Sequence, residues 1–277
     1  MIDARQAAEA LSVAREAARE AAEVLLASWT TIGRGDATRK RPRDLVTDAD
    51  RASEARILER LSRAYPDYAI VAEESGDSGA GAVRWIVDPL DGTTNYVHGF
   101  PMFAVSIALY DGSRPVAGVV LDPVRNEWFT ARADGGAWLD RGDSGAGLRL
   151  SVGDGGDPAE GPLLATGFPF RHPAQTPRYL AAFEELFLRS SDMRRAGSAA
   201  LDLAYVAAGR VDGFWELGLK PWDTAAGTLL ITEAGGRIGT LTGNEYRQGG
   251  HVIGGTPRVY AALVELLGPL APEGAKD

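Results

Sequence analysis

The stretch "WIVDPLDGTTNYVHGFP", residues 85–101, is an apolar run that stops at two aspartates, Asp88 and Asp91, followed at once by Gly92 and Thr93. Magnesium takes hard oxygen ligands, commonly one or two protein carboxylates together with substrate phosphate oxygens. Asp88 and Asp91 can meet one ion or bridge two, and the Leu90 carbonyl is available between them. A helix opening at Gly92 and Thr93 would present free N–H groups and the positive end of its dipole to a phosphate. The plainer reading is punctuation, because Asp-Pro and Asp-Gly are common turn pairs. Two more acidic positions lie far off in the chain: Glu73 and Glu74 in "AEES" end an apolar run, and Asp223 in "KPWDTAAG" starts an apolar helix. Singly they read as a solvated loop charge and a helix cap. Together they converge if the strands that carry them are neighbours.

Other chemistries find less support. The carboxylate spacing is one residue too long for the Asp-x-Asp-x-Thr strand end that makes an aspartate a covalent nucleophile. It also lacks the alternating aspartates and sixth-position glycine of an EF-hand. His98, inside the stretch, reads as structural, and His172 and His251 stand isolated in the sequence. There is no P-loop and no dinucleotide fingerprint. Trp85, Trp215 and Trp222 sit in apolar runs and are expected in the core. The absence of cysteine excludes disulfides, thiolate metal sites and cysteine nucleophiles, and fits a reducing compartment. With 38 acidic against 29 basic residues, the net charge of −9 disfavours nonspecific attraction to nucleic acid or anionic lipid. The first 30 residues alternate charges with alanines, and no later window is long and apolar enough for a membrane span. A soluble, cytoplasmic protein is expected.

Positioning such a site requires strands that stop together. Leu11, Ala14, Ala18, Ala21, Leu25 and Trp29 recur at helical spacing, so the N-terminus reads as an amphipathic helix. The segment "TRKRPRDLVTDAD" reads as a basic loop leading to a second helix, which Thr47 caps with Asp50 and whose buried stripe is Ala55, Leu58 and Leu61. After Pro66 come short apolar runs, "YAIVAEE", "VRWIVDP", "MFAVSIALYDG", "PVAGVVLDP" and "NEWFTAR", which predict a sheet-rich middle, antiparallel in part. From residue 160 strand-like and helix-like segments alternate, which predicts a layered α/β arrangement. The glycine-rich residues 140–162 read as a loop or joint between sub-halves 1–150 and 151–277.

The long stretch quoted first and "WDTAAGTLLITEAGG" resemble the two signatures of the inositol monophosphatase family. "DLVTDAD", "AEES", "GFPFR" and "RRAGSAALDLAYVAAGRVDGFWELGLKPWD" fall in that family's order and approximate spacing between Asp44 and Gly236. The resemblance implies one domain over residues 1–277, a layered αβαβα sandwich of the inositol monophosphatase and fructose-1,6-bisphosphatase type, and a homodimer. It implies Mg²⁺-dependent, lithium-sensitive hydrolysis of a phosphate monoester, first of all inositol 1-phosphate, by metal-activated water without a phosphoenzyme. Related enzymes acting on sugar, histidinol or nucleotide phosphates share the metal core, and some bacterial relatives also contact transcription machinery.

Carried over residue by residue, the resemblance assigns Glu73, Asp88, Asp91, Asp223 and the Leu90 carbonyl to metal. Glu73 and Thr93 match the pair that orients the attacking water, with Asp91 counted among the catalytic carboxylates. Leu90, Asp91, Gly92, Thr93 and Asp223 border the phosphate, while Gly197, Ser198, Ala199 and Glu216 line the sugar or inositol moiety. Asp50 matches an acidic position near an outer metal site, and its capping box explains it equally well. Arg39 and Lys40 both lie where the family often has a loop lysine.

Overall fold

The computed structural model describes residues 1–29, 31, 33, 35, 37–41, 44–142, 147–155, 160–170 and 172–271. The chain opens with α1 (Ala4–Trp29), a hairpin of β1 (Thr38–Arg41) and β2 (Asp44–Val46), and α2 (Asp48–Ala64). An eight-stranded sheet follows, from β3 (Ala69–Ala72), β4 (Gly76–Ser78), β5 (Val83–Asp91), β6 (Ala104–Asp111), β7 (Arg114–Asp122), β8 (Glu127–Arg132), β9 (Gly136–Arg141) and β10 (Leu148–Arg149). A single-turn helix, α3 (Thr93–Val97), leaves the end of β5. The rest of the chain alternates as predicted as far as β14: β11 (Leu163–Thr166), α4 (Thr176–Phe187), β12 (Asp192–Arg194), α5 (Ala199–Ala207), β13 (Gly213–Leu219), α6 (Pro221–Glu233) and β14 (Arg237–Gly239); a second strand, β15 (Gly250–Gly255), then precedes α7 (Pro257–Leu267).

The strand orders are β10-β9-β8-β7-β6-β5-β3-β4 and β12-β11-β13-β15-β14. The larger sheet is antiparallel except where β3 runs parallel to β5, and that exception sets the C-terminal ends of these two strands side by side. Helices α1 and α2 cover one face of it. On the other face α5 and α6 are sandwiched against the smaller sheet, whose far side carries α4 and α7. Five layers result, αβαβα, with three apolar cores: one under α1 and α2, one around α5 and α6 reaching both sheets, and one between the smaller sheet and α4 and α7. Among the described residues no helix is long and apolar enough to cross a membrane.

Three sequence expectations are corrected. Helix α1 buries a stripe wider than predicted, adding Ala7, Ala10, Ala17 and Ala22, while Leu11 and Trp29 are only half-buried at its edges. In α2 Leu61 is buried, but Ala55 is exposed and Leu58 half-buried; the inward face carries Ser53, Glu54 and Ile57 instead. Polar residues can occupy it because their hydrogen bonds are met there: Ser53 Oγ donates to the Pro89 carbonyl at 2.9 Å, and Glu54 accepts two amides. The basic segment read as a loop forms the β1–β2 hairpin, in which Arg39 pairs with Leu45. Of the glycine-rich segment, residues 148–149 form an edge strand, and residues 143–146 and 156–159 lie outside those described.

Candidate active site

On a regular strand, residues three apart point to opposite faces. Asp88 and Asp91 escape this because β5 bulges between them: Asp88 pairs with Ser106 and Asp91 with Ala104, so three residues of β5 advance against two of β6. Pro89 sits inside the bulge, where its missing N–H leaves no ladder donor unmet. Both carboxylates then turn to one side and meet Asp223, the third residue of α6. Oxygens of the three lie within 4.8 Å of one another.

Each carboxylate is held from behind. Asp88, almost fully buried, accepts the Leu90 amide at 3.1 Å. Asp91 accepts Ser198 Oγ at 2.6 Å and the Ala200 amide at 2.7 Å, which fastens β5 to the N-terminus of α5. Asp223 accepts the Lys220 amide at 2.7 Å, so it caps its helix while facing the cluster. Burial pushes the Asp88 carboxyl well above its usual range, and the neighbouring carboxylates of Glu73, Asp91 and Asp223 push it further.

Glu73 follows β3 directly, its amide donating to the Val87 carbonyl at 3.2 Å, and its side chain lines the cavity. Glu54 fixes this turn by accepting the amides of Glu74 and Ser75, each at 2.8 Å. Gly92 closes β5 and caps α3 at φ +96°, where a Cβ would lie 2.9 Å from the Met102 carbonyl and 3.3 Å from that of Gly197. Only glycine fits this junction. Thr93 Oγ1 stands 3.0 Å from Asp50 Oδ1 and 3.2 Å from the Leu90 carbonyl, the two acceptors open to its single proton. The other Asp50 oxygen accepts the Thr47 amide at 2.8 Å, so Asp50 completes its capping box and touches Thr93 at once. Arg39 and Lys40 lie on β1, and their side chains fall outside what is described.

These groups open on a cavity of about 480 Å³, which Gly197, Ser198, Ala199 and Glu216 line from the other sheet's side. Several lining residues escape sequence reasoning. Asn95 Nδ2 donates to the carbonyls of Met102 at 2.7 Å and Ala196 at 2.9 Å, tying α3 to the turn before α5. Phe168 and Phe170, from "GFPFR", hold the Arg195 guanidinium 5.1 and 5.8 Å from their ring centroids. Asp202 lines the wall from inside α5. His172 and His251 are not isolated in space: both meet Gly218, the first packing on its Cα and the second taking its amide at Nδ1, 3.1 Å away. His98 is exposed beside the Thr94 carbonyl, and Trp85 and Trp215 are core residues as expected, with Trp222 half-buried.

The model of the inositol monophosphatase family matches residues 6–270. Nus factor SuhB of Salmonella typhimurium strain 14028s is 46% identical over 258 residues, covering 92% of this chain and 94% of that protein. The crystal structure of extragenic suppressor protein suhB from Bartonella henselae superposes with a TM-score of 0.86 at 39% identity, over 94% of this chain and 98% of that one. The inositol monophosphatase from Anabaena sp. PCC 7120 does so with 0.83 at 38% identity, over 97% and 98%.

Proposed function

The chain belongs to the inositol monophosphatase family, and on that premise we propose that it is a magnesium-dependent phosphomonoesterase releasing phosphate from inositol 1-phosphate. One observation carries the reading: three carboxylates from two elements, mutually repelling and two of them buried, with oxygens within 4.8 Å. Such a set of hard oxygen donors fits Mg²⁺, and repulsion between them is what a bound dication would relieve. Glu73, Asp88, Asp91, Asp223 and the Leu90 carbonyl are the residues that would hold the metal. When bound, magnesium supplies an activated water and neutralises charge on the phosphoryl oxygens and the leaving alkoxide.

The chain's own residues do the positioning. Thr93, its hydroxyl set by Asp50, and Glu73 orient the attacking water in line with the phosphorus. The amides of Gly92 and Thr93 seat the phosphate. Asp91 keeps its place through Ser198 and Ala200, and Glu216 with the Gly197–Ala199 turn accepts hydroxyls of the departing alcohol. No side chain is phosphorylated. By the same reading residues 1–277 act as one domain, the protein works as a cytoplasmic homodimer, and lithium inhibits it.

Phosphate release from inositol 1-phosphate, histidinol phosphate, fructose 1,6-bisphosphate, phosphoadenosine phosphate and glycerol 2-phosphate, with and without Mg²⁺, tests this. Mg²⁺-dependent preference for inositol 1-phosphate is the expected result. Preference for another ester would keep the metal chemistry and replace the substrate. The name Nus factor carried by a 46% identical relative favours a second reading, a regulatory protein that contacts transcription machinery. Pull-down of RNA polymerase that persists in Asp91→Asn, with no turnover of any ester by the unmutated protein, would make that reading primary.

A further inference from the structure

Asp202 is the one charged residue of α5, a helix otherwise made of alanine, leucine, valine and tyrosine and packed between the two sheets. It is 3% exposed, yet it lines the cavity, within electrostatic reach of both Glu216 and Asp91. Among the described residues no donor hydrogen-bonds its carboxylate. Burying a carboxylate without donors is costly, and packing alone would be served by an apolar residue. Burial and the nearby Glu216 and Asp91 carboxylates push its pKa well up, while Arg195 pulls it down. A group in this state is short of hydrogen-bond partners, and the cavity is where they can come from.

Its neighbour on that wall, Glu216, is seated with care. A Cβ on Gly167 would fall 2.1 Å from the Glu216 carboxyl carbon, so the first residue of "GFPFR" leaves the carboxylate its room. Phe168 and Phe170, against Arg195, then give the mouth of the same wall an apolar face. Two acceptors beside an apolar face match a saturated ring that carries hydroxyls on its edge and C–H bonds on its face.

We infer that Asp202 is a specificity-determining residue which, together with Glu216, reads two hydroxyls of the leaving group and so selects cyclic polyol phosphates over esters of aromatic alcohols. The inference rests on the phosphomonoesterase reading and goes beyond it in adding Asp202 to the site and naming what it selects.

The test compares kcat/KM, in Mg²⁺, for the polyol phosphate the unmutated protein turns over best and for 4-nitrophenyl phosphate. Asp202→Ala should lower the ratio of the two by roughly tenfold or more, mainly through KM, as loss of a hydrogen bond to a charged group does. Asp202→Asn, which keeps the shape and one oxygen, should lower it less. An unchanged ratio in both variants would overturn the inference. So would a parallel fall on both esters in a variant whose melting temperature is preserved, since that marks a general rather than a selective role. If Asp202→Ala does not fold, the ratio in Asp202→Asn decides. Failure of the unmutated protein on every ester would instead bring down the phosphatase reading, and this inference with it.

Discussion

On the proposed reading, the phosphate end of the cavity is made of strand ends and helix caps, whereas its leaving-group end is made of a loop, one face of α5 and partly exposed rings. At the first end Asp88, Asp91 and Asp223 each accept a backbone amide, and the Asp88 and Asp223 side chains are buried. At the second, Phe168 is 38% and Phe170 48% exposed, and their contact with Arg195 is a cation–π pair rather than a hydrogen bond. A catalytic constellation must be held to a fraction of an ångström, and rigid elements do that better than loops. On that reading the chemistry rests on buried, hydrogen-bonded strand ends and caps and the choice of substrate on a loop and half-exposed rings, so the two should be separately alterable.

The largest expected effect lies at the stiff end. Asp91→Asn should lower kcat/KM by at least about a thousandfold, the several kcal/mol that metal charge stabilisation contributes, with the circular dichroism spectrum unchanged. Turnover near that of the unmutated protein would dissolve the distinction between the ends. Ser198→Ala removes the 2.6 Å bond behind Asp91 and should raise the Mg²⁺ concentration for half-maximal rate by about ten- to hundredfold. An unshifted magnesium titration would mean that Ser198 serves α5 only as its N-cap.

Asp88 sharpens the comparison through stability. Its carboxyl, pushed well above 3.8, holds its proton more firmly in the folded metal-free protein than in the unfolded chain. The stability this lends is full below pH 3.8 and is lost as pH rises through the raised folded value. At neutral pH, in a chelator, Asp88→Asn should accordingly melt above the unmutated protein, by about 2–4 °C for each kcal/mol relieved. Magnesium should reverse the order, and equal melting temperatures in chelator would refute the repulsion. The smallest effect belongs to the soft end: Phe170→Ala should change KM by about two- to fivefold with kcat preserved, the scale of one exposed cation–π contact. A collapse of kcat would show the aromatic wall to be part of the chemistry.

What the sequence discloses follows the same division. Asp88, Asp91 and Asp223 could be read because each stands where an apolar run meets a turn or a cap, and Thr47 with Asp50 because a capping box is local. The bulge that turns Asp88 and Asp91 to one side depends on their pairing with β6 and leaves no mark in composition. Ser53 and Glu54 look like solvent-facing residues of α2 until the backbone groups they bind, the Pro89 carbonyl and the Glu74 and Ser75 amides, arrive from 20 and more positions away. The β1–β2 hairpin hides in a basic stretch without alternation, and β15 hides in "GHVIGG", whose glycines carry no side-chain pattern. Asp202 stayed unread because one aspartate in an apolar helix looks like noise until the cavity beside it is known. The five-layer fold itself was legible through the family resemblance and the alternation after residue 160.

The strand orders carry a further consequence. The larger sheet ends in β10, two residues long, and β4, three residues long, and the smaller sheet ends in β12 and β14, three residues each. Short edges present almost no free ladder to a passing strand, which guards against fibre-like growth. Among the described residues the two larger sheets thus offer a second copy little ladder to extend, which favours association through side-chain surfaces.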